Sequence, residues 1–224
     1  MSEIKLSELA RKYNTDKLEL HRFLPEVYDN ILQPLKGKIN TFVEVGIFYG
    51  ESVRLWKEYF GCRVVGLEVN WLDKLNIEGV EIIECDQSKE DQLYKVIERI
   101  KDCDVILDDG SHNMYDQQKT LAVLFRALKP GGMYIIEDLH TSVWTGNPAL
   151  AKGSWGDPKK TLTLDMLNQF NVTGRIVSDY MSKEEIEYLE SNIAKVDVYV
   201  VRPDESITSC IMKKDEKELN YFPS

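Results

Sequence analysis

The sequence predicts a doubly wound α/β fold, with a mostly parallel seven-stranded sheet, helices on both of its faces and an antiparallel hairpin at the C-terminal end. Between residues 41 and 136, short apolar runs typical of buried parallel strands alternate with amphipathic helical segments. Two more helical segments follow, and two apolar runs joined by Arg202-Pro-Asp-Glu-Ser206 come last. That pattern is typical of a hairpin, which we place at the edge of the sheet.

Each element is predicted from its local pattern. Leu6, Leu9 and Tyr13 at helical spacing predict a helix at 4–13, and a second helix is predicted at about 19–33, before a proline and a glycine. Apolar runs predict the strands, at residues 41–45, 64–69, 81–85, 104–107, 133–136, 196–201 and 207–212. Helical periodicity between them predicts the core helices, at residues 52–59, 89–101, 117–128, 161–170 and 182–193.

We expect a single domain over residues 1–224, because the chain contains no repeat, low-complexity tract or flexible linker. It would consist of an N-terminal helical segment at 1–37, an α/β core at 38–213 and a solvated tail at 214–224. The alternation of strands and helices makes the core the part in which a ligand site is expected.

Composition excludes several classes of function. With 43% hydrophobic residues among 224, the chain has enough apolar material for a core and is not disordered. The net charge is −10 and the longest basic stretches are pairs, so we expect no nucleic-acid partner. No stretch reaches the roughly 20 apolar residues that span a bilayer, and the N-terminus lacks the apolar segment of a signal peptide. The lack of an apolar span predicts no membrane partner. The 4 cysteines are widely spaced, which indicates a reduced, cytoplasmic protein.

The ends of the first three predicted strands carry a pattern suited to a nucleoside cofactor. The first strand leads into Glu44-Val-Gly46-Ile-Phe-Tyr49-Gly50, whose glycines allow a tight turn before a helix that aims N–H groups at an anion. The second strand ends in Glu68, which suits two ribose hydroxyls. The third ends before Asp86 and Gln87, which suit the edge of a base. The turn is not G-x-G-x-x-G, which disfavours a nicotinamide cofactor.

The order of these residues resembles the class I S-adenosylmethionine-dependent methyltransferases. The shared features are E-x-G-x-x-x-G, an acidic residue about twenty positions later, and then an Asp. The predicted last helix and hairpin are also similar to the end of that Rossmann-like fold. This resemblance covers about residues 40–213 and implies S-adenosyl-L-methionine as the cofactor, held by the Gly46 turn, Glu68 and Asp86.

A second polar cluster follows the fourth and fifth predicted strands. Asp108-Asp109-Gly-Ser-His112 ends the fourth, and Glu137-Asp138 ends the fifth. Neighbouring parallel strands lie about 4.8 Å apart, so these ends can converge, and four carboxylates together require a cation. Oxygen ligands suit Mg²⁺, Mn²⁺ or Ca²⁺, and we place the metal on Asp109, Glu137 and Asp138. His112 suits a general base for a substrate hydroxyl held on that metal.

Several of these residues also have structural interpretations, which stay open. Asp108 either contacts the cofactor or only accepts hydrogen bonds from backbone amides of the glycine turn. Asp-Gly-Ser can be an ordinary turn that leaves His112 on the surface. His140 either contacts the acceptor or is a structural histidine beside the loop. Tyr115 and Gln117 either contact the acceptor or begin a helix.

The combination of motifs resembles the metal-dependent sugar O-methyltransferases of the macrocin and mycinamicin type. The similar segments are 12–17, followed by His21 and Tyr28, and then 43–50, 108–112 and 137–142. The resemblance spans about residues 12–145 and implies a metal held by Asp109, Glu137 and Asp138 with His112 as the base. It implies an acceptor that is a sugar nucleotide, a saccharide or a glycosylated natural product. Macrolide members of this family can carry an additional N-terminal domain, which we do not expect in a chain of this length.

Other residues are placed near the site by their position in the chain. Trp144 and Trp155 lie in a loop after the fifth strand, where they either stack on a sugar or anchor the loop. Thr15, Lys17 and His21 are candidates for the carboxylate end of the cofactor. The N-terminal helices either close over the cofactor or pair with a second subunit of a homo-oligomer.

We therefore expect a Mg²⁺-dependent O-methyltransferase that transfers a methyl group from S-adenosylmethionine to a hydroxyl of a sugar-containing small molecule. Two alternatives stay open. A non-haem iron oxygenase or hydroxylase needs two histidines and a carboxylate on one metal, which His112, His140 and Asp109 can supply. A catalytically silent protein would bind the cofactor without methylating an acceptor.

Overall fold

The sheet of this computed structural model, which describes residues 5–20, 22–70, 75–142, 157, 159–202 and 206–219, has seven strands. They are β1 (Thr41–Val45), β2 (Arg63–Glu68), β3 (Val80–Glu84), β4 (Cys103–Asp108), β5 (Leu128–Ile136), β6 (Ile193–Arg202) and β7 (Ser206–Lys213). Their spatial order is β3-β2-β1-β4-β5-β7-β6. β1 to β5 are parallel, whereas β7 is antiparallel to both β5 and β6. The predicted fold class is confirmed.

The C-terminal hairpin is built into the sheet. β7 lies between β5 and β6, so that β6 alone forms the edge of the sheet on that side. The chain order reverses between β1 and β4, and in sheets of this type such a reversal opens a crevice at the carboxyl ends of the strands. We therefore expect a ligand site at the turns that follow β1 and β4.

Helices cover both faces of the sheet. In the described part of the chain they are α1 (Leu6–Tyr13), α2 (Asp16–Glu19), α3 (Asp29–Ile31), α4 (Glu51–Phe60), α5 (Glu90–Ile100), α6 (Met114–Leu124), α7 (Thr163–Thr173), α8 (Lys183–Asn192) and α9 (Glu216–Leu219). On one face, α5, α6 and α8 share a core that includes Leu93, Leu121 and Leu189. On the opposite face, α1 and α4 share a core that includes Leu9 and Trp56.

The prediction of one continuous helix at 19–33 is wrong. α2 ends at Glu19, a π-helical turn spans Leu24–Tyr28, and a 3₁₀ turn at Gln33–Leu35 follows α3. Arg22 adopts a left-handed φ of +58°, which a continuing α-helix does not allow. Pro25 has no backbone N–H to donate to the preceding turn. Apolar periodicity alone carries no signal of either break.

The structure describes the cysteines and part of the C-terminal tail. All four cysteines are free and buried. The described tail residues from Asp215 to Glu218 are exposed, although α9 gives them a short helical turn. None of the helices among the described residues has both the length and the hydrophobicity that a membrane span requires.

An aromatic cluster ties the N-terminal layer to β1. Trp56 is fully buried and stacks on Phe42 with ring centroids 5.1 Å apart, while Tyr28 meets it edge to face at 6.1 Å. Trp56 Nε1 also donates a hydrogen bond to Glu44 Oε2 at 3.1 Å. One indole ring therefore fills the core and satisfies a buried carboxylate.

We expect Trp56→Phe to lower the free energy of unfolding by about 2–3 kcal/mol, because it opens a gap in the core and removes a donor from Glu44. Urea denaturation followed by circular dichroism measures this loss. Tyr94→Phe in α5 is the control, since Tyr94 is 44% exposed and should stay within about 0.5 kcal/mol of wild type. Equal stability of the two variants would contradict the role given to Trp56.

Candidate active site

The carboxyl ends of the parallel strands surround a cavity of about 670 Å³. Small-molecule sites in proteins commonly have volumes of about 300–1,000 Å³. The register of the sheet sets the walls of this cavity. Val45 of β1 pairs with Asp108 of β4, which pairs with Ile136 of β5, so the turns after these three strands begin at one level.

Acidic groups dominate the polar lining of the cavity. Its carboxylates are those of Asp16, Glu51, Glu68, Asp86, Asp109, Asp116 and Asp138. Among the described residues, Lys17 is the only lysine or arginine in the lining, and His112 is its only histidine. A cavity with this excess of negative charge favours a ligand that carries positive charge.

The turn after β1 depends on Gly46. Its φ is +75°, and a Cβ at this position would lie 2.6 Å from Gly110 Cα, so the two turns pack backbone against backbone. Gly46 and Phe48 line the cavity, and Phe48 is 59% exposed at its rim. Tyr49 packs on the Phe48 ring at 4.1 Å and Gly50 caps α4, and neither of these two predicted cofactor residues lines the cavity.

Glu68 lines the cavity, but its carboxylate already binds the backbone. Oε2 accepts hydrogen bonds from the N–H groups of Ile47 and Phe48 at 3.1 and 2.9 Å. Oε1 accepts from Val69 and Asn70 at 2.8 and 2.9 Å. A carboxylate offers about four acceptor positions, and the turns after β1 and β2 use all four. The contact with ribose stays a prediction, and the structure adds a role for Glu68 in fixing both turns.

Asp86 and Gln87 also line the cavity, and the Gln87 amide links β3 to the turn after β4. Gln87 Nε2 donates to Asp108 Oδ1 at 3.3 Å and to Thr120 Oγ1 at 3.1 Å. Its Oε1 accepts from the Ser111 N–H at 2.5 Å. The amide of Gln87 is thus used within the protein, and the predicted contact with a base edge stays a prediction for both residues.

Asp108 lies beneath the cavity and does not line it. It is buried and accepts hydrogen bonds from Tyr134 Oη at 3.2 Å and the Gly110 N–H at 3.4 Å, besides the Gln87 amide. Burial raises the pKa of Asp108 to about 7. These contacts agree with the structural interpretation left open above.

Lys17 is the central cation of the site. It is 1% exposed, and its Nζ contacts Asp109 Oδ2, donates to Glu137 Oε2 at 2.8 Å and lies 3.6 Å from Glu44 Oε1. Burial lowers the pKa of a lysine, but these carboxylates outweigh it and raise the pKa of Lys17 well above the ordinary value. Thr15 caps α2 beside it, and both line the cavity. Their contact with a cofactor carboxylate stays a prediction.

Glu44 lies at the base of this cluster and outside the cavity lining. Its Oε2 accepts from Ser52 Oγ at 2.9 Å and from Trp56 Nε1 at 3.1 Å, while Oε1 faces Lys17. Burial raises the pKa of Glu44 to about 7, and Lys17 opposes that shift. The Glu44 carboxylate is therefore used in contacts within the protein, and its contact with the cofactor stays a prediction.

Asp109, His112 and Asp138 form the candidate metal centre, since one ligand atom of each lies within 4.8 Å of the others. His112 Nε2 is 3.5 Å from Asp138 Oδ2. His112 and Asp138 have left-handed φ values of +58° and +55°, which non-glycine residues rarely adopt. Thr141 Oγ1 lies 3.2 Å from the His112 carbonyl and 2.8 Å from the Asp138 carbonyl. One hydroxyl therefore links the two unusual conformations.

Glu137 has different neighbours from those predicted for a metal ligand. Its carboxylate is 1% exposed and accepts hydrogen bonds from Lys17 Nζ and Tyr28 Oη. Its role as a ligand stays a prediction. His140 Nδ1 lies 3.6 Å from Asp138 Oδ1, but the candidate centre among the described residues contains a single histidine. The two-histidine set of an iron oxygenase is not assembled there.

The predicted acceptor residues fall into two groups. Tyr115 and Gln117 lie inside α6, which agrees with the helical alternative. Tyr115 packs edge to face on Tyr180 at 5.7 Å, and Gln117 is 1% exposed and donates to the Glu137 carbonyl at 3.4 Å. Two further predicted acceptor residues, Trp144 and Trp155, lie outside the described part of the chain, as does His21, which is predicted at the cofactor.

Sequence reasoning missed several polar contacts of the site. Ser111 Oγ donates to Asp116, and both residues line the cavity. The Asp-Gly-Ser sequence indicates a turn here, but it does not indicate that Ser111 contacts Asp116. Tyr28 belongs to the motif quoted above, but its bond to Glu137 joins residues 109 positions apart.

Comparisons with known proteins bear on the fold. No family model matches the chain. The mycinamicin VI 2''-O-methyltransferase of Micromonospora griseorubida is 33% identical over 152 residues, which are 63% of this chain and 37% of that protein. The 8-demethyl-8-alpha-L-rhamnosyl tetracenomycin-C 2'-O-methyltransferase of Streptomyces olivaceus is 31% identical over 164 residues, 70% of this chain and 42% of that protein.

Among solved structures, the MycE methyltransferase from the mycinamycin biosynthetic pathway, in complex with Mg, SAH and mycinamycin VI, matches with a TM-score of 0.74. The match is 25% identical in sequence and covers 100% of this chain and 58% of that chain. The chain has the class I methyltransferase fold. Its homologues are sugar O-methyltransferases, as the motifs predicted. Because the chain spans 37–42% of the length of these curated relatives, its methyltransferase fold corresponds to part of each of them.

We expect Glu68→Gln to destabilise the ligand-free methyltransferase fold by about 2–4 kcal/mol, because an amide nitrogen would face two backbone donors. Urea denaturation without cofactor measures this loss. Glu84→Gln is a matched control, because Glu84 pairs with Glu68 in the sheet register and is exposed. A residue that only bound ribose would leave ligand-free stability unchanged, and that result would contradict the backbone role.

Proposed function

We propose that this chain is an S-adenosylmethionine-dependent and Mg²⁺-dependent O-methyltransferase that methylates a hydroxyl of a sugar-containing small molecule. The observation that carries the proposal is the acid-lined cavity beside the Gly46 turn, which opens directly onto Asp109, His112 and Asp138. The MycE complex with Mg, SAH and mycinamycin VI supports a glycosylated natural product as the favoured acceptor. A sugar nucleotide or a free saccharide is the alternative acceptor.

The residues of the cavity fit the proposed cofactor. S-adenosylmethionine, when bound, supplies an electrophilic methyl group on a positively charged sulfonium. The carboxylates of the lining provide the negative potential that such a cation needs. Of the predicted cofactor residues, those in the lining are Thr15, Lys17, Gly46, Glu68, Asp86 and Gln87. These residues come from the N-terminal segment and from the ends of β1, β2 and β3, which supports a ligand that spans the crevice.

The residues of the candidate centre also fit a divalent ion. Asp109 and Asp138 offer the carboxylate oxygens that Mg²⁺ and Mn²⁺ prefer, and we propose that they hold it. Glu137 is kept as a third proposed ligand on the resemblance alone. The ion, when bound, supplies a Lewis acid that orients the acceptor hydroxyl and lowers its pKa.

His112 is the proposed general base. With the cofactor bound, its imidazole would take the proton of the acceptor hydroxyl as the methyl group passes from the sulfonium sulfur, which would leave as a neutral thioether, to the hydroxyl oxygen. The Asp138 carboxylate, 3.5 Å from His112 Nε2, stabilises the positive charge that the ring acquires. The hydrogen bond from Thr141 to the His112 carbonyl holds the backbone that carries the ring. These residues keep the base oriented before the acceptor arrives.

The other hypotheses have less support. The iron alternative lacks a second histidine in the candidate centre formed by the described residues. A silent cofactor-binding protein would have no use for His112 beside Asp138. Four predictions from the sequence are kept as proposals. They are a cytoplasmic location, a homo-oligomer, the lack of nucleic-acid or membrane partners, and a single domain whose α/β core spans residues 38–213.

Isothermal titration calorimetry with S-adenosylmethionine tests the cofactor first, with Mg²⁺ and with a chelator. We expect binding with a dissociation constant between about 1 μM and 1 mM. Methyl transfer to glycosylated acceptors is expected with Mg²⁺ and not with the chelator. Absence of cofactor binding under every condition would remove the methyltransferase proposal.

We expect Asp109→Asn to lower Mg²⁺-dependent turnover by at least about 100-fold, because it removes a charged oxygen ligand. Turnover at increasing Mg²⁺ concentration measures the effect. Asp215→Asn in the exposed tail is the control and should behave as wild type. Wild-type activity that persists in the chelator would contradict the metal requirement.

We expect His112→Ala to lower turnover by about 10²–10⁴-fold while cofactor affinity stays nearly unchanged, because the lost group acts on the hydroxyl proton. Single-turnover kinetics and calorimetry measure the two quantities. His140→Ala is the comparison, since His140 also contacts Asp138 and should cost much less turnover. Equal losses of turnover and cofactor affinity in His112→Ala would remove the assignment of the base.

A further inference from the structure

Lys17 is buried among carboxylates, and the proposed methyl transfer gives it no contact with the reacting atoms. Its ammonium contacts carboxylates that follow or belong to three different strands, Asp109, Glu137 and Glu44. We propose that Lys17 is a resident counter-cation of the metal centre, which holds these carboxylates together in the metal-free protein and competes with the divalent ion for Asp109. This inference rests on the proposed function, because it concerns the metal that function requires.

Competition follows from the position of Asp109. This residue belongs to the candidate metal centre with His112 and Asp138, and its Oδ2 also contacts Lys17 Nζ. An ammonium and a divalent cation that share one carboxylate repel each other, and the repulsion is larger in a buried site than in water. Lys17 therefore weakens the binding of the ion at the centre.

Lys17 holds the metal-free site together because the carboxylates around it are buried. Glu44 and Glu137 are 0% and 1% exposed, so water cannot stabilise their charges. The other hydrogen bonds that these two carboxylates accept come from neutral groups, the side chains of Ser52, Trp56 and Tyr28. Buried carboxylates without a cation are strongly destabilising, and Lys17 supplies one positive charge to the whole group.

Lys17 also connects the centre to the wall of the cavity. It lies in α2, and the segment from Asn14 to Lys17 lines the cavity together with the turns that follow the strands. Because its side chain reaches across to Asp109, the lysine orients that carboxylate and fixes the segment at once. Lys17 is thus a positioning residue rather than a group that touches the reacting atoms.

Binding of Mn²⁺ to the full chain, measured from the electron paramagnetic resonance of the free ion, tests this inference without any turnover. We expect Lys17→Met to bind Mn²⁺ at least about 10-fold more tightly than wild type, because a repelling positive charge is removed. Lys119→Met is the matched control. Lys119 is also buried and bonded to a carboxylate, Glu185 at 2.9 Å, but contacts no member of the centre. Its loss should destabilise the protein and leave Mn²⁺ affinity unchanged.

Two further variants separate charge from folding. The double variant Lys17→Met with Glu44→Gln removes one positive and one negative charge, so the net charge of the buried group is unchanged. It should also bind Mn²⁺ more tightly than Glu44→Gln alone. Lys17→Arg keeps the positive charge and should restore the wild-type affinity. Mn²⁺ should raise the melting temperature of Lys17→Met more than that of wild type, because tighter binding to the native state stabilises it more.

The outcomes distinguish this inference from the proposed function. If wild type binds Mn²⁺ and both Lys17→Met variants bind it equally or more weakly, the counter-cation role is overturned and the methyltransferase proposal stands. If neither wild type nor any variant binds Mn²⁺, the metal requirement and this inference both fail. Calorimetry with S-adenosylmethionine then tests the cofactor part of the proposed function by itself. Mn²⁺ binding that appears only after Lys17 is replaced supports the competition directly.

Discussion

The negative charge gathered at the ends of β1, β4 and β5 is the constraint on which the site depends. Glu44 and Glu137 are almost completely buried, and carboxylates removed from water need a cation or a proton. Lys17 brings that cation from outside the sheet, on the N-terminal part of the chain, in which Tyr28 packs on Trp56 of α4. The N-terminal layer is therefore part of the electrostatics of the site, and the sheet without it would hold an unbalanced cluster.

The second constraint is the shape of the backbone after β4 and β5. His112 and Asp138 are held in left-handed conformations, each of which costs on the order of 1–3 kcal/mol. The surroundings offset this cost, since Thr141 Oγ1 lies within hydrogen-bond distance of both carbonyls, to which its single proton is shared, and Gly110 packs against the Gln87 side chain where a Cβ would not fit. Polar groups fixed in this way need little rearrangement when charge develops near them, which is the arrangement that favours electrostatic catalysis.

Much of the fold could be predicted from sequence, because buried parallel strands appear as apolar runs between turn residues. β1 lies at the predicted residues 41–45, and the register of parallel strands brings the acidic strand ends to one level as expected. The partners of long side chains could not be predicted. The sequence predicts Lys17 at the cofactor, which stays a prediction, but it does not predict the ion pairs with Asp109 and Glu137, since no local pattern says which of several acids an ammonium reaches. The break in the helix predicted at 19–33 likewise depends on the backbone of Arg22, which periodicity does not encode.

Glu68 shows how one residue can serve both fold and ligand. Its carboxylate accepts four backbone N–H groups, two from the turn after β1 and two from the turn after β2. An oxygen that already accepts two such bonds gains a ribose hydroxyl only by weakening one of them, so the net gain from a direct contact is small. The larger contribution comes from the shape that Glu68 gives to the Gly46 turn before any ligand binds. If the proposed cofactor binds here, its affinity depends on a hydrogen-bond network that is complete within the protein itself.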